Sequence, residues 1–259
     1  GAPTPVTGYM ATAVKTAAFI ALGRVLYTGF QAATLDWRPI VMGIATLSMV
    51  LGNLVALSQG SLKRMLAYSS IAHAGYLLAA LWPGSPLGIS ALVFYLLGYG
   101  VTSIAAFTIL GGLGRGGERD VTLAEITGLA ETRPWLAFGF AACLLSLLGF
   151  PGTIGFMGKW YILAAIVGSG SPLLAVVVVL ASLVSAGYYL PVIMAMYMRP
   201  ARAPLVHWDR ILSGTARLAV AVAVLAILLF GMWPAGPLRL TDRAAGSLVQ
   251  SSGQVILGP

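Results

Sequence analysis

Acidic side chains are scarce in this chain: there are seven among 259 residues, and charged residues of both signs make up only 8%. Soluble domains carry about 25% charged residues, which coat the surface that meets water. Hydrophobic residues make up 59% of the chain. These proportions exclude an ordinary soluble domain and indicate a polytopic membrane protein whose helices face the lipid bilayer and one another.

Cysteine and histidine are also rare, with one and two copies. Cys143 has no second cysteine with which to form an internal disulfide. The sequence contains no metal-ligand spacing and no nucleophile–base pair, so we expect neither a metal nor a cofactor in this chain. The net charge of +8 comes from basic residues scattered through short polar segments, which argues against nucleic acid as a partner.

Long apolar runs dominate the chain, and a membrane-spanning helix needs about 20 such residues. They predict an all-α, polytopic transmembrane bundle of about seven spans in a membrane domain, 1–235, followed by an external C-terminal tail, 236–259. All seven acidic residues fall outside the predicted spans. The spans are 9–30, 38–58, 62–82, 87–112, 134–168, 172–198 and 213–235.

The basic residues other than Lys15 and Lys159 are unevenly divided between the two membrane faces. With seven spans, nine of them share the side of the N-terminus and four lie on the other side. The positive-inside rule then predicts a cytoplasmic start and an external end for this segment.

The fifth run has 35 residues, which is too long for one ordinary span. Pro151 removes a backbone donor, and the neighbouring Gly152 and Gly155 permit non-helical dihedral angles. We therefore predict a discontinuous helix that is unwound near Pro151–Gly155. Such backbone is tolerated at membrane depth only inside protein or beside a wet cavity, and it marks ion sites in many transporters.

Two lysines, Lys15 and Lys159, lie inside apolar runs, where a charge is costly and usually functional. A lysine in a low-dielectric site can load and release a proton as nearby charges move. The structural alternative for Lys159 is that it pairs with the carbonyls freed by the helix break. Lys15 has no acidic residue one turn away, so any acidic partner must come from another helix or another chain.

His73 belongs to a polar stripe in the third run, formed with Ser69, Ser70 and Tyr76 at spacings of three and four residues. Histidine can relay protons near neutral pH, although a buried histidine can equally hold two helices together. Lys63 begins the same run. A basic residue at the end of a span usually sets the orientation of the helix in the membrane. The alternative interpretation is that Lys63 lies at the mouth of a proton-uptake path.

Three stretches together resemble a known family: GAPTPVTGYMATAVKTAAF, GNLVALSQGSLKRMLAYSSIAHAGYLLAAL and LLGFPGTIGFMGKWYILAA. They are similar to the antiporter-like proton-translocating subunits of respiratory complex I. The motif IAHAGY and the lysine at position 159 are most similar to the subunit N group of this family. The resemblance covers roughly residues 1–235.

The resemblance implies helices eight to fourteen of a fourteen-helix subunit, so that the N-terminal half of the same subunit is missing here. It implies that Lys15 is the central-axis lysine, that Lys159 is the lysine of the broken helix, and that His73 lies on the polar axis. Other membrane-arm subunits of complex I would be partners in a bacterial inner membrane. NADH, flavin, iron–sulfur clusters and quinone would be bound by other subunits.

Two other functions remain open at this stage. Subunits of multi-subunit cation/proton antiporters and of membrane-bound hydrogenases share the broken helix. A packing or assembly element of a membrane arm, with inert buried lysines, is the non-catalytic alternative.

Overall fold

The computed structural model describes residues 2–30, 32–114, 120–200 and 212–250, with side chains described as far as Asp242. All regular secondary structure in these ranges is helical. The helices are α1 Thr4–Gly29, α2 Thr34–Leu57, α3 Leu62–Leu81, α4 Pro86–Leu113, α5 Leu129–Thr132, α6 Pro134–Leu148, α7 Ile154–Gly168, α8 Pro172–Met198, α9 Gly214–Met232 and α10 Ala235–Gln250.

The helix lengths confirm an all-α transmembrane bundle. Among the described residues, α1, α2, α4, α8 and α9 are each long and apolar enough to cross a bilayer. α3 has 20 residues, which reach about 30 Å at 1.5 Å per residue, but it carries the polar stripe. α6 and α7 have 15 residues each, so that they make one crossing only as a pair. This gives about seven spans.

The first two spans begin earlier than the apolar pattern predicts. α1 starts at Thr4, with Pro5 in its first turn, where the missing N–H has no helical partner in any case. α2 starts at Thr34, which places Asp36 in its first turn and corrects the expectation that every acidic residue lies outside the spans. A carboxylate is favourable there because it faces the positive end of the helix dipole.

α1 is not a uniform α-helix. It contains two π-helical segments, Met10–Val14 and Val25–Gly29, and Lys15 directly follows the first. The apolar pattern carries no signal for these segments. π-Helical turns occur frequently at functional sites.

The predicted C-terminal tail is helical over much of its length. α10 follows α9 after a break at Trp233 and Pro234, and it packs against α4. Its external location remains a prediction, and residues 251–259 lie outside the described ranges.

The discontinuous helix is confirmed, with one correction. α6 ends at Leu148 and α7 begins at Ile154. Gly149 and Gly152 in between have φ angles of 88° and 87°, which side-chain-bearing residues rarely adopt. The sequence predicted that Gly155 belongs to the break, and this is wrong. Gly155 lies in the first turn of α7. Glycine is needed there because a Cβ atom would lie 1.8 Å from the Ser146 carbonyl oxygen.

Close helix packing places α3 and α4 in the interior of the bundle. α4 contacts α1, α3, α6, α7, α9 and α10. α2 and α3 approach so closely that their crossing requires glycine. A Cβ on Gly52 would lie 2.5 Å from the Ala72 nitrogen, and one on Gly75 would lie 2.7 Å from the Ala45 oxygen. Small residues at such crossings are typical of membrane helices. The polar stripe of α3 is thereby enclosed by other helices.

Gly155→Ala is expected to destabilise the protein, since the new methyl group would push α7 away from backbone atoms of α6. Overpacking of this kind costs about 1–3 kcal/mol or more. The measurement is the melting temperature of the detergent-solubilised full-length protein. Gly100→Ala is the matched control, because a Cβ there meets nothing within 4 Å. Equal melting temperatures for the two variants would contradict the proposed close approach.

Candidate functional site

Lys159 lies in α7, one turn beyond the helix break, and only 6% of its surface is exposed. Its Nζ donates to the carbonyl oxygens of Leu147 (3.1 Å) and Leu148 (2.9 Å) and to the Ser182 hydroxyl (2.8 Å). An ammonium group has three donors, and all three have acceptors here. The buried charge is therefore fully hydrogen-bonded by three neutral acceptors.

The helix break creates two of these acceptors. At the end of α6, the N–H groups of Gly149 and Phe150 donate back to Leu145, which leaves the Leu147 and Leu148 carbonyls without helical partners. The end of a helix also carries a partial negative charge, which favours a cation. Lys159 thus makes the contact that the structural alternative predicts, and this contact is compatible with either role.

The other side of the break is tied down by hydroxyl groups. The Ser146 hydroxyl accepts from the Gly155 N–H (3.3 Å) and pairs with the Thr102 hydroxyl (3.1 Å) of α4. The Thr153 hydroxyl caps α7 by accepting from the Phe156 N–H at 3.4 Å. The two half-helices are consequently held in a fixed relation around Lys159.

Lys15 lies near the middle of α1 and is half-buried. Its Nζ donates to the carbonyl and the hydroxyl oxygen of Ser70 on α3, and it lies 5.1 Å from the centre of the Tyr99 ring on α4. Ser70 and Tyr99, the partners of Lys15 among the described residues, are both uncharged. Lys15 therefore contacts one residue of the polar stripe of α3, Ser70.

His73 occupies the centre of the bundle and is buried. Its Nδ1 lies 2.6 Å from the Tyr95 hydroxyl, and its Nε2 lies 3.3 Å from the Tyr189 hydroxyl. A neutral histidine donates through one ring nitrogen and accepts through the other. His73 can therefore connect two hydroxyl groups that come from different helices, α4 and α8.

A row of neighbouring aromatic rings, related by ring contacts and not by hydrogen bonds, lies between the two lysines. From the Lys15 Nζ it is 5.1 Å to the Tyr99 ring, and from that ring 4.9 Å to the His73 ring. The His73 and Tyr76 ring centres are 5.6 Å apart, and the Lys159 Nζ lies 4.6 Å from the Tyr76 ring. We call these five residues the lysine file.

The other predicted residues lie beside this file. Ser69 is buried, but its hydroxyl donates to Leu66 within the same helix at 2.8 Å. Lys63 donates to the Ala2 carbonyl near the start of α1. It precedes Ser69 by six residues, about 9 Å along the helix. The described contacts do not connect Lys63 to the lysine file.

Sequence reasoning missed four hydroxyl-bearing residues of the site. A signal was present for two of them, because Tyr95 and Tyr99 lie four residues apart within an apolar run and so share one helix face. Ser182 and Tyr189 have no comparable pattern. Their role depends on how α8 packs against α3 and α7.

Comparison with known proteins identifies the family. The model of the family described as NADH:quinone oxidoreductase/Mrp antiporter, TM, matches residues 1–185. The chain belongs to this family. It is 44% identical over 250 residues to NADH-quinone oxidoreductase subunit N of Gemmatimonas aurantiaca. The aligned region covers 94% of this chain and 47% of that protein.

Two solved structures are similar in fold to this chain. A chain of respiratory complex I from Thermus thermophilus is similar with a TM-score of 0.76 and 40% identity, over 92% of this chain and 52% of that one. A chain of the Mrp complex from Dietzia sp. DQ12-45-1b has a TM-score of 0.79 over 94% and 53%; at 21% identity it shows the fold alone. The chain spans about half the length of the relatives it matches.

Gly149→Ala is expected to displace Lys159, whereas Gly152→Ala is not. Both substitutions force a side chain into the left-handed region, which costs about 1–2 kcal/mol each. A Cβ on Gly149 would also lie 3.0 Å from the Lys159 Cδ, while one on Gly152 meets nothing within 4 Å. Cryo-electron microscopy of the two variants measures the distance from Nζ to the Leu148 oxygen. The same distance in both would refute a specific role for Gly149.

Proposed function

We propose that this chain is the C-terminal half of a proton-translocating subunit N in the membrane arm of NADH–quinone oxidoreductase. The observation that carries the proposal is the lysine file, in which the half-buried Lys15 and the buried Lys159 lie at opposite ends of a row of histidine and tyrosine rings. The 44% identity to a named subunit N supports the assignment.

The proposed chemistry is proton movement without redox chemistry in this chain. Lysine, histidine and tyrosine can each gain or lose a proton, and His73 with its hydrogen-bonded partners Tyr95 and Tyr189 can pass one along. A charge that arrives within about 4–6 Å changes the proton affinity of a buried group by one to three orders of magnitude. Quinone reduction in a neighbouring subunit would supply that charge or a conformational pulse, and NADH, flavin and iron–sulfur clusters would also be bound elsewhere.

The roles of the lysines follow from their partners. Lys159 would hold its proton against the carbonyls at the end of α6 and release it when a nearby positive charge weakens that hold. Lys15 would exchange protons with the file through Ser70, and His73 would relay between the Tyr95 and Tyr189 hydroxyls. The acidic partner of Lys15 would come from the N-terminal half of the subunit or from another membrane-arm subunit.

The proposed location is the bacterial cell membrane, with the start of this segment cytoplasmic and its end external. The excess of basic residues on one side supports that orientation. Lys63 at the start of α3 would then lie at the cytoplasmic face. Its contact with Ala2 supports a role in topology more than in proton uptake.

Lys159→Ala and Lys15→Ala, each in the full-length subunit within the assembled complex, are expected to lower the number of protons pumped per electron. Each removes a group at one end of the lysine file. The measurement compares proton uptake with NADH oxidation in proteoliposomes, with Lys63→Ala as the control expected to keep the wild-type ratio. Wild-type ratios in both test variants would instead assign the buried lysines a packing role.

A cation/proton antiporter subunit is the second candidate, and the family description and the fold of the Mrp complex chain support it. The two functions differ in their need for sodium. For the complex I function, we expect proton translocation by the assembled complex to be unchanged when sodium is replaced by choline. Loss of translocation on this replacement, restored by added sodium, would favour the antiporter.

A further inference from the structure

Asn53 is a buried amide on the apolar helix α2, with 2% of its surface exposed. Its Nδ2 donates to the Met49 carbonyl of the same helix (2.8 Å) and to the Ala181 carbonyl of α8 (3.1 Å). Its Oδ1 accepts from the Tyr188 hydroxyl at 2.8 Å. A buried amide is costly unless its donors and acceptor are paired, and here both ends of the group have partners.

The contact with Ala181 leads directly to Lys159. The next residue, Ser182, accepts from the Lys159 Nζ at 2.8 Å and donates to the Leu148 carbonyl at 3.1 Å. The hydrogen bond to the Ala181 carbonyl restrains both the position of α8 along its own axis and its rotation about that axis at this turn. The position of the Ser182 hydroxyl depends on the same two quantities.

Two carbonyl groups determine which way the Asn53 amide points. Because the Met49 and Ala181 carbonyl oxygens can only accept, they select the amide nitrogen and leave Oδ1 to accept from the Tyr188 hydroxyl. Tyr188 lies on α8 itself, about two turns beyond Ala181. Asn53 therefore holds two turns of α8 against α2 at once.

We propose that Asn53 is a positioning residue for Lys159, which it controls through the Ala181 carbonyl and the Ser182 hydroxyl. This inference deepens the proposed function and rests on the proton-carrying role of Lys159. Without the amide, α8 loses this hydrogen bond to α2, and the ammonium is expected to lose the one acceptor that does not come from the end of α6.

The test is a double-mutant cycle in the full-length subunit of the assembled complex. The variants are Asn53→Leu, Ser182→Ala and the double variant, and the readout is protons pumped per electron as a function of pH. Each single variant is expected to displace the pH profile from that of the wild-type subunit, since the ammonium loses an acceptor. Because both act through the same hydroxyl, the double variant should match Ser182→Ala alone.

Two matched controls separate positioning from general packing. Tyr188→Phe removes the partner of Oδ1 but keeps the Asn53 donor, so a smaller shift is expected. Tyr27→Phe removes a bond of 2.8 Å between a side chain and the Leu81 carbonyl at the far ends of α1 and α3, and it should leave the pH profile unchanged. A shift in Tyr27→Phe as large as in Asn53→Leu would overturn the proposal.

Additive shifts in the double variant, or a shift with Ser182→Ala but none with Asn53→Leu, would also overturn it. If Asn53→Leu does not assemble, the smaller Asn53→Ser, which cannot reach Ala181, replaces it in the cycle. Cryo-electron microscopy of either variant gives a readout independent of pumping: the Lys159 Nζ to Ser182 Oγ distance should exceed hydrogen-bonding range. An unchanged distance counts against Asn53, whereas unchanged pumping in Lys159→Ala counts against the proposed function.

Discussion

The structure depends on how one buried ammonium group is stabilised by neutral acceptors within the described part of the chain. Lys159 is held by two carbonyl oxygens at the end of α6 and by the Ser182 hydroxyl. Dipoles of this kind compensate a charge only when they point at it from fixed positions. The left-handed glycine at 149, the threonine cap of α7 and the close approach at Gly155 all serve to fix those positions.

The two lysines differ in how completely they are paired. Lys159 is buried with three acceptors, while Lys15 is half-buried and contacts Ser70 and the Tyr99 ring. The groups between them come from α3 and α4, and His73, Tyr76 and Tyr99 are all buried. Lys15 directly follows the π-helical segment Met10–Val14 and is the more exposed of the two lysines.

Much of the fold could be predicted because a bilayer leaves few choices. Backbone groups in hydrocarbon must be paired within a helix, so the apolar runs identify the spans and Pro151 with Gly152 identifies the break. The helix ends were less predictable: Thr34 begins α2 four residues early, and Gly155 lies within α7. Caps and close contacts decide such ends, and both depend on neighbouring helices.

For the site, the sequence by itself determined which charges lie at membrane depth, because Lys15 and Lys159 interrupt runs that are otherwise apolar. It also placed Ser70, His73 and Tyr76 on one helix face. Only the tertiary structure decided what these groups touch: Tyr99 between Lys15 and His73, Ser182 beside Lys159, and Asn53 behind Ser182. A helical period fixes which residues share a face, but the partner across that face is fixed by the packing of separate helices.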